Sequence, residues 1–211
     1  MIAEFNVHDR AGDILFTAEI EADENASRAD KLGLAVKWAR RNDVSLAGAD
    51  LEDANLEGFD FRGADLTGAS LRWANLRNAI FRDVDLSYAD LSCADLRSKL
   101  GFEADLEGAR LVHAKLVGTR LLGANLERVN LRHANLKEAD LEEANCVGAD
   151  CRGANFTGAN LKGAYFDRAN LVGVDLRGVN LEDASFYGAD LFKVECDDVF
   201  RGALREMGWR T

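Results

Sequence analysis

From Leu46 to Cys196 a bulky apolar residue returns at every fifth position, with Gly101 the one break. The residue two places earlier is Ala or Val except at Phe59, Lys99 and Thr119. The residue one place earlier is mostly Asp or Asn, as in Asp50, Asn55, Asp65 and Asn125. Two places later Gly is frequent, as at Gly63, Gly68, Gly148, Gly153 and Gly158. An α-helix advances about 500° over five residues, so these side chains would form no single stripe. A flat strand would send successive ones to opposite faces, because five is odd. They all point inward only if the backbone turns a corner within every pentad. Pentads too short to bury their own apolar face must then stack as a solenoid. Leu or Phe fills the centre, Ala takes the tighter space near a corner, and Asp, Asn and Gly make the turns. The chain has no proline, which would remove a donor from the ladders between coils.

These residues resemble the pentapeptide-repeat family, whose motif is A(D/N)LXX, over roughly residues 44–198. The resemblance implies four pentads per coil in a right-handed quadrilateral β-helix; the period alone gives neither the hand nor the number of sides.

A solenoid is open at both ends and needs caps. In residues 2–20, Ile14, Phe16, Ala18 and Ile20 alternate with Leu15, Thr17 and Glu19 around the turn segment HDRAGD, which predicts a hairpin. A helix is expected after Ser27 as N-cap, with Leu32, Ala35, Val36 and Ala39 as its apolar stripe and Arg40 and Arg41 in its last turn. Residues 1–43 thus read as an N-terminal hairpin-and-helix cap over the first coil. At the other end, Asp197 or Asp198 is expected to cap a short helix, making residues 199–211 a C-terminal cap. Its apolar residues Val199, Phe200, Ala203, Leu204 and Met207 either cover the last coil or meet a second copy, as the resemblance implies; the two roles are compatible. Val172 and Phe192, twenty residues apart, fall in one outward column and add to a dimer contact with Phe200, Leu204 and Met207.

Composition narrows the function classes. The opening MIAEFNVHDR has neither the basic nor the apolar region of an export signal, and the apolar runs are too short to cross a membrane. Four cysteines in such a chain read as thiols of a reducing cytoplasm. The formal charge of -11 argues against direct nucleic-acid binding. Residues 1–43 contribute -3 and residues 199–211 contribute +2, leaving -10 on the coils. A rod of about seven and a half coils is about 36 Å long, and B-DNA of that length carries about 21 negative charges. The protein has about half that density, with Arg62, Arg72, Arg77, Arg82 and Arg152 interleaved.

With four pentads per coil, residues twenty apart stack on one face. That map places Trp73, Cys93, His113 and His133 in one column. A straight row on a flat face wraps a zinc ion poorly, so no metal or cofactor is expected, and no catalytic constellation or small-molecule substrate emerges. The register resumes at Leu106 after the break at Gly101, so the break is expected to add no residues. Either Leu100 or Phe102 slips inward there, or Ile80 with Leu100 and Phe102 with Leu122 form exposed apolar columns that mark a partner surface. The expected function is a non-enzymatic protein–protein interaction scaffold for an unknown partner. The second reading, implied by the resemblance, is a DNA mimic that modulates bacterial DNA gyrase.

Overall fold

The computed structural model describes residues 2–97, 104–198, 201 and 202. Its coils are joined by parallel β-bridges between residues twenty apart: Asp50 to Ser70, Asn55 to Asn75, Asp60 to Ile80 and Asp65 to Asp85. Four pentads therefore make one coil with four sides, here called faces 1 to 4 in the order of those four bridges. Most bridges are tied twice. On face 1, Ser70 N–H donates to the Ala49 carbonyl at 2.9 Å and Leu51 N–H donates to the Ser70 carbonyl at 2.8 Å.

The corners explain the sequence preferences. Ala54 N–H donates to the Leu51 carbonyl at 3.1 Å, closing a four-residue turn whose third residue, Asp53, has φ of 62°. A type II turn requires positive φ there, which is where the repeat favours Gly. The Asp or Asn before each central residue bonds forward into the same corner: Thr67 N–H donates to Asp65 Oδ1 at 2.9 Å, and Thr157 N–H to Asn155 Oδ1 at 2.9 Å. Inside, every described Leu, Phe or Cys of the period from 46 to 176 is buried, as is nearly every Ala before it. Rings stack where Phe recurs on one face: Phe61 and Phe81 lie 4.7 Å apart and 6° from parallel, Phe166 and Phe186 5.6 Å and 11°. Thr119, in an alanine place, is fully buried and donates its hydroxyl to the Leu91 carbonyl at 2.8 Å.

One coil breaks the count. Ile80 pairs with Asp105, Asp85 with Arg110, Asp90 with Lys115 and Asp95 with Arg120, all twenty-five apart; the spacing returns to twenty at Asp105 and Asn125. The coil containing Gly101 thus holds five pentads, which corrects the expectation that the break adds nothing. An added pentad leaves the inward position unchanged and moves every later pentad on by one face. Ile80 is therefore followed in its column by Asp105 rather than by Leu100, and Leu122 follows Arg120, the partner of Asp95. Leu100 and Phe102 lie outside the described residues.

At the N-terminus, β1 (Ile2–His8) and β2 (Ile14–Glu21) form an antiparallel hairpin, followed by α1 (Arg28–Arg41). Val7, Ala18 and Ile20 are buried, and Phe16 stacks on Trp38; Ile14, expected on the same face, is exposed because it lies at the turn end of the hairpin. Asp30 N–H donates to Ser27 Oγ at 3.1 Å, the N-cap bond, and Leu32, Ala35, Val36 and Ala39 are buried. The cap supplies what a preceding coil would. Asp50 N–H donates to the His8 carbonyl at 2.8 Å and Asn55 N–H to the Ala29 carbonyl at 3.1 Å. Arg28 and Arg40 donate to the free carbonyls of Glu52 and Arg62 at 3.0 and 2.6 Å. At the far end the backbone is helical at Asp198, Arg201 and Gly202. Phe200, Leu204 and Met207 lie outside the described residues.

Candidate interaction surface

Because every inward position is occupied by packing, any site on the coils is built from the outward positions of faces and corners. The corners show the departures from the repeat. Trp73, Tyr88, Cys93, His113 and His133 take the third turn position with φ between 55° and 61°. The left-handed region costs a residue with a side chain about 1–2 kcal/mol, and Gly would occupy it freely. Large rings held there, three of them exposed aromatics or imidazoles on one edge, are a departure that packing does not require.

The added pentad decides which rings meet. The expected column of Trp73, Cys93, His113 and His133 is split by the shift of one face. Cys93 is followed by Gly118: Cys93 N–H donates to the Val117 carbonyl at 2.9 Å, and a Cβ on Gly118 would lie 3.6 Å from Cys93 Sγ. Tyr88 is followed by His113 at 5.2 Å and 17° from parallel, and His113 by His133 at 5.1 Å and 13°. This three-ring ladder runs along the corner between faces 4 and 1. It ends at Gly153, where a Cβ would sit 2.7 Å from His133 Nδ1, so glycine there makes room for the imidazole. Trp73 stands one corner on, with the Arg72 guanidinium 4.4 Å from its ring centre. Cys93 is on the Trp73 corner, away from both imidazoles. Among the described residues no group of three or more His, Cys, Asp or Glu is arranged to hold a metal ion.

Charge is distributed unevenly. Among the described residues, faces 1 and 2 with the corners that follow them carry sixteen acids and eight bases, whereas face 4 with its corner carries four of each. Around the five-pentad coil the bridge positions alternate in sign: Asp85, Asp90 and Asp95 lie under Arg110, Lys115 and Arg120. Arg110 reaches Asp85 at 3.6 Å and Lys115 reaches Asp90 at 3.7 Å. Asp95 is instead gripped from its own coil by Arg97, with Arg77 Nε donating at 2.9 Å. Partial burial works against the charged form of Asp95, but the Arg97 hydrogen bonds and the two guanidinium charges win and hold its carboxyl at about 2. A hydrogen bond from Arg177 holds Asp175 at about 2 as well. Burial pushes the Cys146 and Cys151 thiols far above their usual range, which makes them inert core.

Of the apolar surface expected from Ile80, Leu100, Phe102 and Leu122, Ile80 and Leu122 are partly buried, and Leu100 and Phe102 lie outside the described residues. Val172 and Phe192 do share the column that follows face 4, where Gly173 N–H donates to the Phe192 carbonyl at 2.9 Å and Phe192 is 59% exposed. No helix among the described residues is long and apolar enough to cross a membrane. The ladder was hidden from the sequence because Tyr88 and His113 are twenty-five residues apart. The sequence favours that spacing by one charge pair: it matches Asp85, Asp90 and Asp95 all with bases, whereas a spacing of twenty matches only the last two.

Comparison with known proteins places the architecture. The pentapeptide-repeat family model matches eight copies, over 45–83, 71–98, 104–142, 134–171, 144–183 and 169–199. Among solved structures, the pentapeptide repeat protein Rfr23 from the cyanobacterium Cyanothece 51142 is 32% identical, with 56% of this chain and 88% of that chain covered at a TM-score of 0.50. HetL from Nostoc sp. strain PCC 7120, a pentapeptide repeat protein involved in heterocyst differentiation regulation, is 30% identical over 71% of this chain and 73% of its own, TM-score 0.34. QnrB1, a plasmid-mediated fluoroquinolone resistance protein, is 27% identical over 80% of this chain and 85% of its own, TM-score 0.33. No match is found among proteins of curated function. The likeness to Rfr23 carries a right-handed hand for the four-sided coil. With its repeats matched over most of the chain and its bridges twenty apart, this protein belongs to the pentapeptide-repeat family.

Proposed function

We propose that this chain is a non-enzymatic protein-interaction scaffold whose partner docks along the corner between faces 4 and 1. The observation that supports this reading is the Tyr88–His113–His133 ladder: rings kept on a rigid edge, in turn positions that glycine would fill more cheaply. Tyrosine, tryptophan and arginine dominate the energetics of protein interfaces, and a pre-ordered edge loses little entropy on docking. The test places a photo-crosslinking phenylalanine derivative at Tyr88 and, separately, at Tyr165 on face 3, in the native host. A discrete adduct from position 88, competed by excess unmodified protein and absent at position 165, is the expected result. No adduct at position 88 would remove the reading.

The DNA-mimic reading draws on the family resemblance and the net charge. It is weakened by the uneven distribution, since face 4 with its corner has as many bases as acids among the described residues. A supercoiling assay with purified gyrase decides it, and inhibition or quinolone protection at micromolar protein would reinstate it. A homodimer through the C-terminal end, with Val172 and Phe192 in the contact, is proposed alongside. Light scattering should then report twice the chain mass, falling to one chain in Phe192→Glu.

A further inference from the structure

We infer that the surface of the two coils after the added pentad, centred on face 1 and its two corners, binds a short acidic segment of a partner protein. This rests on the scaffold reading and names the chemistry the partner brings. On face 1 and its two corners these coils carry the outward bases Lys115, Arg132 and Lys137, with His113 and His133 beside them and one acid, Glu138; Arg110 borders the strip on face 4, and Arg120 and Asp140 border it on face 2. The protein as a whole carries -11, so this patch has the opposite sign to its surroundings.

The bases do not all answer to internal acids. Arg110 and Lys115 lie 3.6 and 3.7 Å from Asp85 and Asp90, long contacts for charged pairs. Arg132 is exposed and makes no contact ion pair among the described residues, its charge acting on Asp150 only at longer range. Lys137 meets only its neighbour Glu138, at 3.3 Å, on side chains 50% and 63% exposed. Such solvated pairs are worth little and exchange readily for a better anion. The imidazoles of the ladder add two hydrogen-bonding edges in the same strip, about 5 Å apart as their stacking dictates.

The extent of the patch selects the ligand. Two coils span about 10 Å along the rod, the length of about three residues of extended chain. Beyond them on face 1 stand Asp90 below and Asp175 and Glu195 above. A long polyanion such as a nucleic acid would run onto those carboxylates, whereas a segment of a few Asp or Glu residues ends before reaching them. Charge complementarity over so small an area also predicts strong dependence on salt.

The experiment is fluorescence anisotropy on the full chain with a labelled triglutamate peptide, and in parallel a labelled trithymidylate, at low and at moderate salt. Saturable triglutamate binding that weakens with salt is expected. Arg132→Glu with Lys137→Glu should weaken it by about tenfold or more. Arg62→Glu with Lys162→Glu, which changes net charge equally on other faces, should leave it within about twofold. If the reversed pair fails to melt like the parent, Arg132→Gln with Lys137→Gln takes its place. Absence of saturable triglutamate binding, equal loss in both charge-reversed pairs, or trithymidylate binding as tight as triglutamate would each overturn the inference. A persistent adduct from position 88 in the Arg132→Glu, Lys137→Glu protein would overturn the acidic segment alone and leave the scaffold standing; no adduct in the parent would sink both.

Discussion

Replacing Gly33 by Ala sets two effects of opposite sign against each other. In an exposed helix the change should stabilise by about 1 kcal/mol, because glycine loses more backbone freedom. Here Gly33 faces the first coil, and a Cβ would stand 2.3 Å from the Asn55 carbonyl oxygen, a backbone atom that cannot rotate away. Restoring ordinary contact lifts α1 by about 1 Å, and a gap of that size forfeits up to half of the dispersion energy across it. The lift also strains four bonds that cap the coil: Asn55 N–H to Ala29, Arg28 to Glu52, Arg40 to Arg62, and Asn55 Nδ2 to Asp30. At about 0.5–1.5 kcal/mol each, partial loss of these with looser packing of Leu32 and Val36 outweighs the helical gain. A net loss of about 2–4 kcal/mol follows, or a fall in Tm of about 5–15 °C for a chain of this size. Thermal melts followed by circular dichroism measure it, with Lys37→Ala on the exposed side of α1 as a control near zero. Equal or greater stability in Gly33→Ala would refute the seating of α1 on the coil.

Leu136→Ala opens a void between stacked coils and should cost about 2–5 kcal/mol, while Arg132→Ala should cost well under 1 kcal/mol in urea unfolding; equal costs would refute the inward assignment. Asp95, held at about 2 against an ordinary 3.8, stabilises the fold at pH values above its unfolded range, and that contribution disappears as pH falls through about 2. Asp95→Asn should therefore be about 1–2 kcal/mol less stable at pH 7, with the difference closing near pH 2; a gap independent of pH would mean that the Arg97 and Arg77 contacts stabilise nothing.

The inward core was legible because a period of five fits neither helix nor strand, so Leu56, Leu76 and Leu116 have one common solution; its four sides came from the family resemblance. Ser27 and the stripe from Leu32 to Ala39 were legible for the ordinary reason that a capped amphipathic helix repeats near 3.6 residues. What stayed hidden is the face on which each pentad after Gly101 lies. Inward burial depends on position within the pentad alone, so Leu106 reads the same whether four or five pentads complete the coil. Only contacts between coils distinguish the two, and these are made by outward residues that the repeat leaves free. Asp85, Asp90 and Asp95 facing Arg110, Lys115 and Arg120 carry that information as charge. The alternative spacing would still match Asp90 with Arg110 and Asp95 with Lys115 but would set Asp85 against Asp105. The charge signal is thus a difference of one pair, and the like-charged bridge of Asp65 with Asp85 shows that the ladder tolerates such a pair.

The added pentad works as a quarter-turn of a dial. Everything C-terminal to it is rotated by one side relative to everything before it, while the hydrophobic axis runs through unaltered. Gain or loss of a single pentad would thus re-pair whole columns of outward residues at once without touching a buried one. In such a rod, new surfaces arise by re-indexing old ones.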